Sequence, residues 1–333
     1  MSEKKNSSAI LRLNGKNLLQ NILQGQIVGI TLILFIMILL LSIFTKTFMT
    51  ETDIFNILRA FSWIAISAFG ECIVIITGGI DLSVGSVMAF SGLISAIMMT
   101  LGVPMLLAVL LGITAGSLVG LFNGLLVTKA KLPPFIATLG TLLIFRGLCV
   151  GLTGGWPVRD LPASFSYLGQ HDIPVLGMGF PVPLIFVIII GIFMSFFLLH
   201  TIWGFRIFAV GGNETAARLS GINADRIKIL VYTLGAFLSA VGGILMTSRL
   251  GVAAPTAASG YELDVIAAAV VGGTSLAGGE GNILGVFVGA AIMQVLRTGL
   301  VLIGVSAYWL QAIQGFVIIL AITLDQLRKR RIQ

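Results

Sequence analysis

The sequence predicts an all-α integral membrane protein, a polytopic bundle of about ten transmembrane helices with short loops. Of its 333 residues, 57% are hydrophobic and only 10% are charged, and the mean hydropathy is +1.07. So few polar side chains cannot cover a surface in water, which makes lipid the expected solvent. The apolar stretches run for roughly 15–25 residues, enough to cross about 30 Å of hydrocarbon, and they lack the alternating pattern of membrane strands.

Ten charge-poor segments are predicted to span the membrane as helices, because a helix satisfies its own backbone hydrogen bonds in lipid. They are Ile27–Phe44, Ile54–Thr77, Leu82–Leu101, Met105–Thr128, Pro133–Leu152, Pro183–His200, Ile229–Ser248, Val265–Gly278, Ile283–Leu302 and Ser306–Leu324. Arg59 and Glu71 interrupt the second segment, whereas the eighth is short and is bordered by glycine pairs. Either of these two segments is therefore open to being tilted, broken or re-entrant.

The distribution of Lys and Arg predicts the orientation of the chain. An even number of spans places both termini on one side, and basic residues concentrate in cytoplasmic loops. With the amino terminus inside, 14 of the 20 basic residues are cytoplasmic: Lys4, Lys5, Arg12, Lys16, Lys129, Lys131, Arg206, Arg218, Arg226, Lys228, Arg328, Lys329, Arg330 and Arg331. The other six are Lys46, Arg59, Arg146, Arg159, Arg249 and Arg297. Cytoplasmic termini explain the formal net charge of +7 without a nucleic-acid partner.

The predicted organisation is a single transmembrane domain over residues 1–333. Its smaller parts are a cytoplasmic amino-terminal segment (1–26), a cytoplasmic loop (204–228) and a basic cytoplasmic tail (325–333). The first apolar run is too long for a signal-peptide core and lacks a small-residue cleavage site, so we expect it to be retained. No GxxxxGK[ST] phosphate loop occurs, and ATP-driven transport would therefore require an ATPase in a partner.

Cysteine and histidine give no sign of a catalytic or metal site. Cys72 and Cys149 lie inside apolar segments, and His171 and His200 are far apart in the sequence. Their spacing fits neither a disulfide framework nor a ligand set. We expect no metal, no cofactor in this chain and no enzymatic activity of its own.

One motif predicts a short exposed helix in the inner connection, Gly211–Ile222. Asn213 can cap the free N–H groups, Glu214 suits the positive end of the helix, and Gly221 suits a left-handed stop. The small Ala216-Ala217 pair would let a partner surface approach the backbone closely. The alternative is an ordinary amphipathic connection that lies on the membrane surface.

Two further motifs combine glycine pairs with acidic residues. In Gly78–Ser86 the glycine pair ends one helix, and Asp81 or Ser83 can cap the next. In the other motif, the acidic Tyr261–Asp264 segment suits a helix start, and the small residues up to Gly279 suit close packing. Taken singly, either motif is equally compatible with architecture alone, because small residues commonly serve helix packing in membranes.

In their order along the chain and in their residues, the three motifs resemble the sugar permeases of ribose-type ATP-binding-cassette importers. This family includes ribose, xylose, galactose and autoinducer-2 permeases. The resemblance extends from about Phe55 to the last predicted span, and the residues of the motifs are most similar to those of the ribose branch. It implies a subunit of the bacterial cytoplasmic (inner) membrane that translocates a small sugar. The expected sugar is ribose, with xylose, galactose, another monosaccharide or autoinducer-2 as alternatives.

The family implies several partners besides membrane lipid. Two permease subunits, identical or sisters, form the pathway, and a periplasmic or lipoprotein sugar-binding protein delivers the sugar. Two ATPase subunits use ATP and Mg, and a coupling helix of the permease contacts them. The coupling residues implied here are Gly212, Asn213, Glu214, Ala216, Ala217, Arg218 and Gly221. The residues implied for gating are Gly78, Gly79, Asp81, Ser83, Gly85, Tyr261, Glu262, Asp264, Gly272, Gly273, Thr274 and Ser275.

A sugar pathway needs groups that match hydroxyls, and an aromatic face would suit it. The candidates are Ser62, Trp63, Asn123, Thr138, Thr141, Gln294, Gln311 and Gln314. Each of them is equally compatible with hydrogen bonding between helices. Arg159 and Arg249 are candidates for docking the binding protein, with solvated loop charge as the alternative.

Two acidic residues depart from the resemblance. Glu71 is an intramembrane carboxylate, either functional or a helix-end residue paired with a base such as Arg59 or Arg146. Glu280 stands where the ribose branch tends to be basic. The competing class of protein is an ion- or proton-coupled secondary transporter. It predicts a chain of intramembrane acids, of which Glu71 is the only clear one in the sequence.

Overall fold

The computed structural model describes residues 25–175, 178–306, 309, 312, 313, 315, 316, 319 and 323. Its helices in chain order are α1 Gln26–Phe44, α2 Glu51–Ile76, α3 Val84–Thr100, α4 Met105–Thr128, α5 Pro134–Thr153, α6 Ala163–Gln170, α7 Val182–His200, α8 Ile202–Gly212, α9 Glu214–Leu219, α10 Ala224–Leu250, α11 Tyr261–Val271 and α12 Ile283–Leu302. Between α6 and α7, strand β1 (Asp172–Val175) pairs antiparallel with β2 (Met178–Pro181). The prediction of an all-α chain is therefore corrected by one short hairpin.

Within the described residues, seven helices are long and apolar enough to cross a membrane: α1, α2, α4, α5, α7, α10 and α12. They correspond to seven of the ten predicted spans. The predicted third span forms α3, a shorter apolar helix of 17 residues. The tenth span, Ser306–Leu324, lies largely outside the described residues. A polytopic helical membrane protein is confirmed, whereas a count of ten transmembrane helices is not.

The predicted eighth span, Val265–Gly278, is broken, which was one of the alternatives left open for it. Helix α11 has 11 residues and ends before Gly272, and a turn with left-handed glycines follows. Gly273, Gly278 and Gly279 have φ angles of 96°, 85° and 77°, which a side chain would strain. Gly272, Thr274 and Ser275 of this turn are buried, whereas Ala277 and Glu280 are exposed. The predicted second span, by contrast, is the continuous helix α2 of 26 residues.

Helices α2 and α10 form the centre of the bundle. Every residue of α2 from Phe61 to Ile76 is buried, and the backbones of the two helices come close together. A Cβ atom added to Gly70 would lie 2.8 Å from the carbonyl oxygen of Gly235, so glycine is required for this approach. Helices α1, α4, α5 and α7 expose many Leu, Ile and Phe side chains, as expected of surfaces that lipid or another subunit covers.

The hairpin marks one end of the bundle, which we call the hairpin end. Arg59, near the start of α2, pairs with Asp172 of β1 at 2.5 Å. An isolated bridge between Val158 and Ala253 joins two further connections. The Arg59–Asp172 ion pair therefore fastens α2 to the hairpin.

Candidate functional site

Helix α9 confirms the local chemistry predicted for the short inner helix. Asn213 Oδ1 accepts a hydrogen bond from the backbone N–H of Ala216 at 2.9 Å, and Gly221 is left-handed with a φ of 84°. Leu219 is 86% exposed, which leaves an apolar side chain available to a partner. The predicted open Ala216-Ala217 pair is corrected in part, because Ala216 is exposed but Ala217 is buried against the protein's own core.

A network of ion pairs fastens α9 to its neighbours. Glu214 pairs with Arg218 at 2.8 Å and with Lys228 of α10 at 2.6 Å, and Arg218 also pairs with Asp225. Partial burial raises the pKa of Glu214, but hydrogen bonds from Lys228 and Arg218 outweigh this effect, so the net pKa is lowered. The network therefore stabilises the fold above the ordinary pKa of a glutamate and loses its effect as the pH falls through the lowered value.

The three predicted motifs meet at a contact between backbones, which we call the glycine junction: Gly78, Gly211, Gly278 and Gly279. The N–H of Gly279 donates to the carbonyl oxygen of Ile76, the last residue of α2, at 2.9 Å. A Cβ atom on Gly211 would lie only 1.7 Å from that same oxygen, and one on Gly278 would lie 2.8 Å from the carbonyl oxygen of Gly211. Side chains at these positions would push the three segments apart.

The Gly78–Ser86 motif places its polar groups in a buried cluster rather than in a simple cap. The backbone N–H of Asp81 donates to Glu71 Oε1 at 3.0 Å. Ser83 donates to Asp81 Oδ1 from its N–H at 2.8 Å and from its hydroxyl at 2.6 Å. Asn123 Nδ2, on α4, donates to Ser83 Oγ at 2.9 Å. The cluster therefore ties the α2–α3 connection to α4.

The Tyr261–Asp264 motif contacts both α3 and α12. Arg297 Nη1 donates to Asp264 Oδ2 at 2.9 Å, and the Arg297 guanidinium lies 4.4 Å from the centre of the Tyr261 ring. Glu262 Oε1 accepts from the N–H of Gly260 at 3.2 Å, and a Cβ atom on Gly85 would lie 2.3 Å from Glu262 Oε2. The Gly78–Ser86 and Tyr261–Asp264 motifs are thus packed directly against each other.

Arg297 is a site residue that sequence reasoning missed, because it was treated only as a charge within a span. The available signal was its isolation: a lone intramembrane cation needs a partner, and the nearby motif offered two acids.

The remaining predicted gating residues form a tight turn against α2 and α12. Thr274 Oγ1 lies 3.3 Å from Cys72 Sγ, and the N–H of Ser275 donates to the carbonyl oxygen of Glu280 at 3.0 Å. A Cβ atom on Gly272 would lie 2.6 Å from the carbonyl oxygen of Gly285. The turn therefore has no room for larger residues on the α12 side.

The predicted pathway residues do not converge on one place. Ser62, Thr138 and Thr141 donate to carbonyl oxygens of their own helices at 2.7, 3.0 and 3.0 Å. Trp63 is buried, and Gln294 donates to Thr298 at 2.9 Å. Only Asn123 and Thr138 reach the Gly78–Ser86 motif, since Thr138 also donates to the Ile80 carbonyl oxygen at 3.3 Å. Gln311 and Gln314 lie outside the described residues.

The basic partners predicted for Glu71 are wrong. Arg59 pairs with Asp172 at the other end of α2, and Arg146 donates to the carbonyl oxygens of Pro255 and Ala257 at 3.1 and 2.6 Å. In the part of the chain that the structure describes, no Lys or Arg forms an ion pair with Glu71. The same residues contain no group of three or more His, Cys, Asp or Glu suited to a metal ion.

The two predicted docking residues differ in their surroundings. Arg159 is exposed. Arg249 Nη2 donates to Asn56 Oδ1 on α2 at 2.7 Å, so it is already engaged within the chain.

The chain belongs to a family of membrane transport permeases: the family model described as the permease component of branched-chain amino acid transport systems matches residues 53–322. It is 43% identical to the ribose import permease protein of Bacillus subtilis (strain 168), with 88% of this chain and 90% of that protein covered. For the ribose import permease protein of Escherichia coli (strain K12), the identity is 42% and the covered shares are 88% and 91%.

The xylose transport system permease protein of Escherichia coli (strain K12) is 34% identical, with 85% of this chain and 87% of that protein covered. No solved structure matches the chain. The identities to the ribose and xylose permeases confirm the resemblance to ribose-type sugar permeases.

Proposed function

We propose that this chain is the membrane-spanning subunit of an ATP-binding-cassette importer for a small sugar, with ribose as the first candidate substrate. The observation that carries the proposal is the glycine junction. It places the end of α8, which leads directly into the capped helix α9, in the same backbone contact as the end of α2 and the glycine turn after α11. The identity to ribose import permeases supports the substrate, and that to a xylose permease keeps xylose as the alternative.

In this proposal α9 is the coupling helix, and it transmits the movement of a separate ATPase. The exposed Leu219 and the capped start at Asn213 face the partner, and the ion pairs of Glu214 fasten the helix to α10. A displacement of α9 passes first to α8, which ends at Gly212, and then to α2, because a Cβ atom on Gly211 would already collide with the Ile76 carbonyl oxygen. ATP and Mg act in the partner, whose hydrolysis cycle changes the relative stability of the two access states.

The orientation follows from the same assignment. The α9 end is cytoplasmic together with both termini, and the hairpin end faces the binding protein, where the exposed Arg159 is a docking contact. The exposed apolar faces of the outer helices accommodate lipid and a second permease, identical or a sister.

Co-purification tests this proposal most directly. The tagged chain is extracted from its native cells in mild detergent, and its partners are identified by mass spectrometry, with a known importer complex as the control. We expect a P-loop ATPase, and the presence or absence of a different permease decides between the homodimer and the pair of sisters. Recovery of the chain alone, while the control stays intact, would contradict the proposal.

The competing secondary-transporter function is favoured by one observation, the burial of Glu71 beside Asp81. Sugar uptake that falls when ATP is depleted, and that continues in the presence of a proton ionophore, supports the importer. Uptake that follows the proton gradient and ignores ATP depletion supports the alternative.

We predict that the double substitution Asn213→Ala and Glu214→Ala weakens coupling without preventing membrane insertion. It removes the cap of α9 and its ion pairs, and the cap alone is worth about 1 kcal/mol. We expect ATP-driven uptake to fall about fivefold or more at equal membrane expression. Thr215→Ala is the matched control, because Thr215 is exposed on the same helix. Equal uptake by the double variant and the control would rule out this role.

A further inference from the structure

The coupling role of the glycine junction leaves Glu71 and Asp81 unexplained. Their side chains belong to residues only 1% and 2% exposed, and the N–H of Asp81 donates to Glu71 Oε1 at 3.0 Å. Two carboxylates are thus adjacent inside the protein. Buried ionised groups are costly unless an opposite charge compensates them, so this pair requires an explanation.

Ser83 and Asn123 already use their hydrogen-bond donors beside the pair, whereas the Tyr232 hydroxyl has no hydrogen-bond partner among the described residues. Both donors of Ser83 serve Asp81 Oδ1, and Asn123 Nδ2 serves Ser83 Oγ at 2.9 Å with longer approaches of 3.4 and 3.5 Å to the Asp81 carboxylate. Glu71 Oε2 and Asn123 Oδ1 are among the buried oxygens of the described residues that have no hydrogen-bond partner. These oxygens come from α2 and α4 and flank the same connection.

Among the residues that the structure describes, the titratable groups that face the pair provide no positive charge. They are the thiol of Cys72 on α2 and the hydroxyl of Tyr232 on α10, both neutral or acidic groups. The Tyr232 hydroxyl lies against the connection, since a Cβ atom on Gly79 would be 2.4 Å from it. It therefore adds a third oxygen to the surroundings and cannot act as a counter-charge.

We propose that Glu71, Asp81 and Asn123 form a binding site for one monovalent positive charge, carried by a proton or by an alkali-metal ion. Either carrier would satisfy an unpartnered carboxylate oxygen and reduce the repulsion between the two acids. An alkali-metal ion would use several of these oxygens at once, because hard cations prefer oxygen ligands. The site goes beyond the proposed sugar import and does not depend on it.

The site lies where its occupancy affects the glycine junction. Asp81 follows Gly78 by three residues, and Glu71 precedes Ile76, whose carbonyl oxygen accepts the junction's hydrogen bond, by five. A bound charge therefore holds the end of α2 and the connection after it in one arrangement. Loss of the charge leaves two carboxylates that repel each other beside the glycine junction.

Thermal unfolding of the purified full-length chain in detergent tests the proposal without sugar or ATPase. In one arm, choline chloride is replaced by NaCl or KCl at constant pH and ionic strength. In the other, the pH is varied in choline chloride alone. Glu71→Gln and Glu71→Met remove the acid, and Glu51→Gln is the matched control, because Glu51 is an exposed carboxylate on the same helix.

A rise in the midpoint of unfolding of about 3 °C or more with Na⁺ or K⁺ is the expected result for an alkali-metal ion. A similar rise as the pH falls identifies the proton as the carrier. In either arm the rise must be present in the unmodified chain and in Glu51→Gln, and absent from whichever Glu71 variant folds. The proposal would be overturned if the midpoint of unfolding changed with neither salt nor pH, or if it changed equally in the Glu71 variants. Neither result bears on whether an ATPase co-purifies.

Discussion

Gly211→Ala is expected to destabilise the protein and to abolish sugar uptake, whereas Gly212→Ala leaves both near their original values. A Cβ atom on Gly211 would lie 1.7 Å from the Ile76 carbonyl oxygen and 2.7 Å from the Gly279 nitrogen. Both contacts are backbone atoms, so no side chain can rotate away. Overpacking of this kind costs about 1–3 kcal/mol, and more where the backbone cannot move.

Gly212 is a close control for this prediction. It is the next residue, and a Cβ atom there would meet nothing within 4 Å. The measurement is thermal unfolding in detergent, followed by uptake at equal membrane expression. Equal behaviour of the two variants would show that the glycine junction tolerates a methyl group, and rigid coupling through it would then be untenable.

Arg297→Ala is expected to lower the free energy of unfolding by about 3 kcal/mol. The substitution removes the cation from Asp264, which is buried with 2% side-chain exposure, while Arg297 itself is 31% exposed. It also removes the contact between the guanidinium and the Tyr261 ring. Loss of one partner of a buried ion pair is costly because the other charge remains inside the protein.

A double-mutant cycle isolates this interaction. Asp264→Ala in the Arg297→Ala background should cost much less than it does alone, because the pair is already broken. Arg226→Ala is the control for losing a basic residue, since Arg226 is exposed, and should stay within about 0.5 kcal/mol. Additive single effects would show that Arg297 and Asp264 are not coupled.

Much of the helical architecture was predictable, because helix formation in lipid depends on local composition. The spans Met105–Thr128 and Ile283–Leu302 have the predicted bounds. The break after α11 was harder to predict, since glycines end a helix at membrane depth only where the surrounding protein buries the turn. A sequence shows the glycines but not the burial.

The candidate site was predictable in its local chemistry and not in its assembly. The cap at Asn213 and the left-handed Gly221 follow from residue type and spacing alone. The meeting of Gly211 with Ile76 is a contact between backbones, and glycine carries no side chain whose chemistry would indicate its partner. The wrong partners for Glu71 have a related cause, because sequence distance does not show that Arg59 faces the opposite end of α2.

The continuity of α2 has a mechanical consequence. At 1.5 Å per residue, the stretch of α2 from Arg59 to Ile76 measures about 26 Å. Its two ends are fastened to different structures, the hairpin through Arg59 and the glycine junction through Ile76. Because α2 is one continuous helix, a movement along its axis at one fastened point must also occur at the other. In the proposed importer, docking of the binding protein at the hairpin end and ATP turnover at the α9 end would therefore be linked mechanically through α2. A displacement at one end of this helix would have to appear at the other.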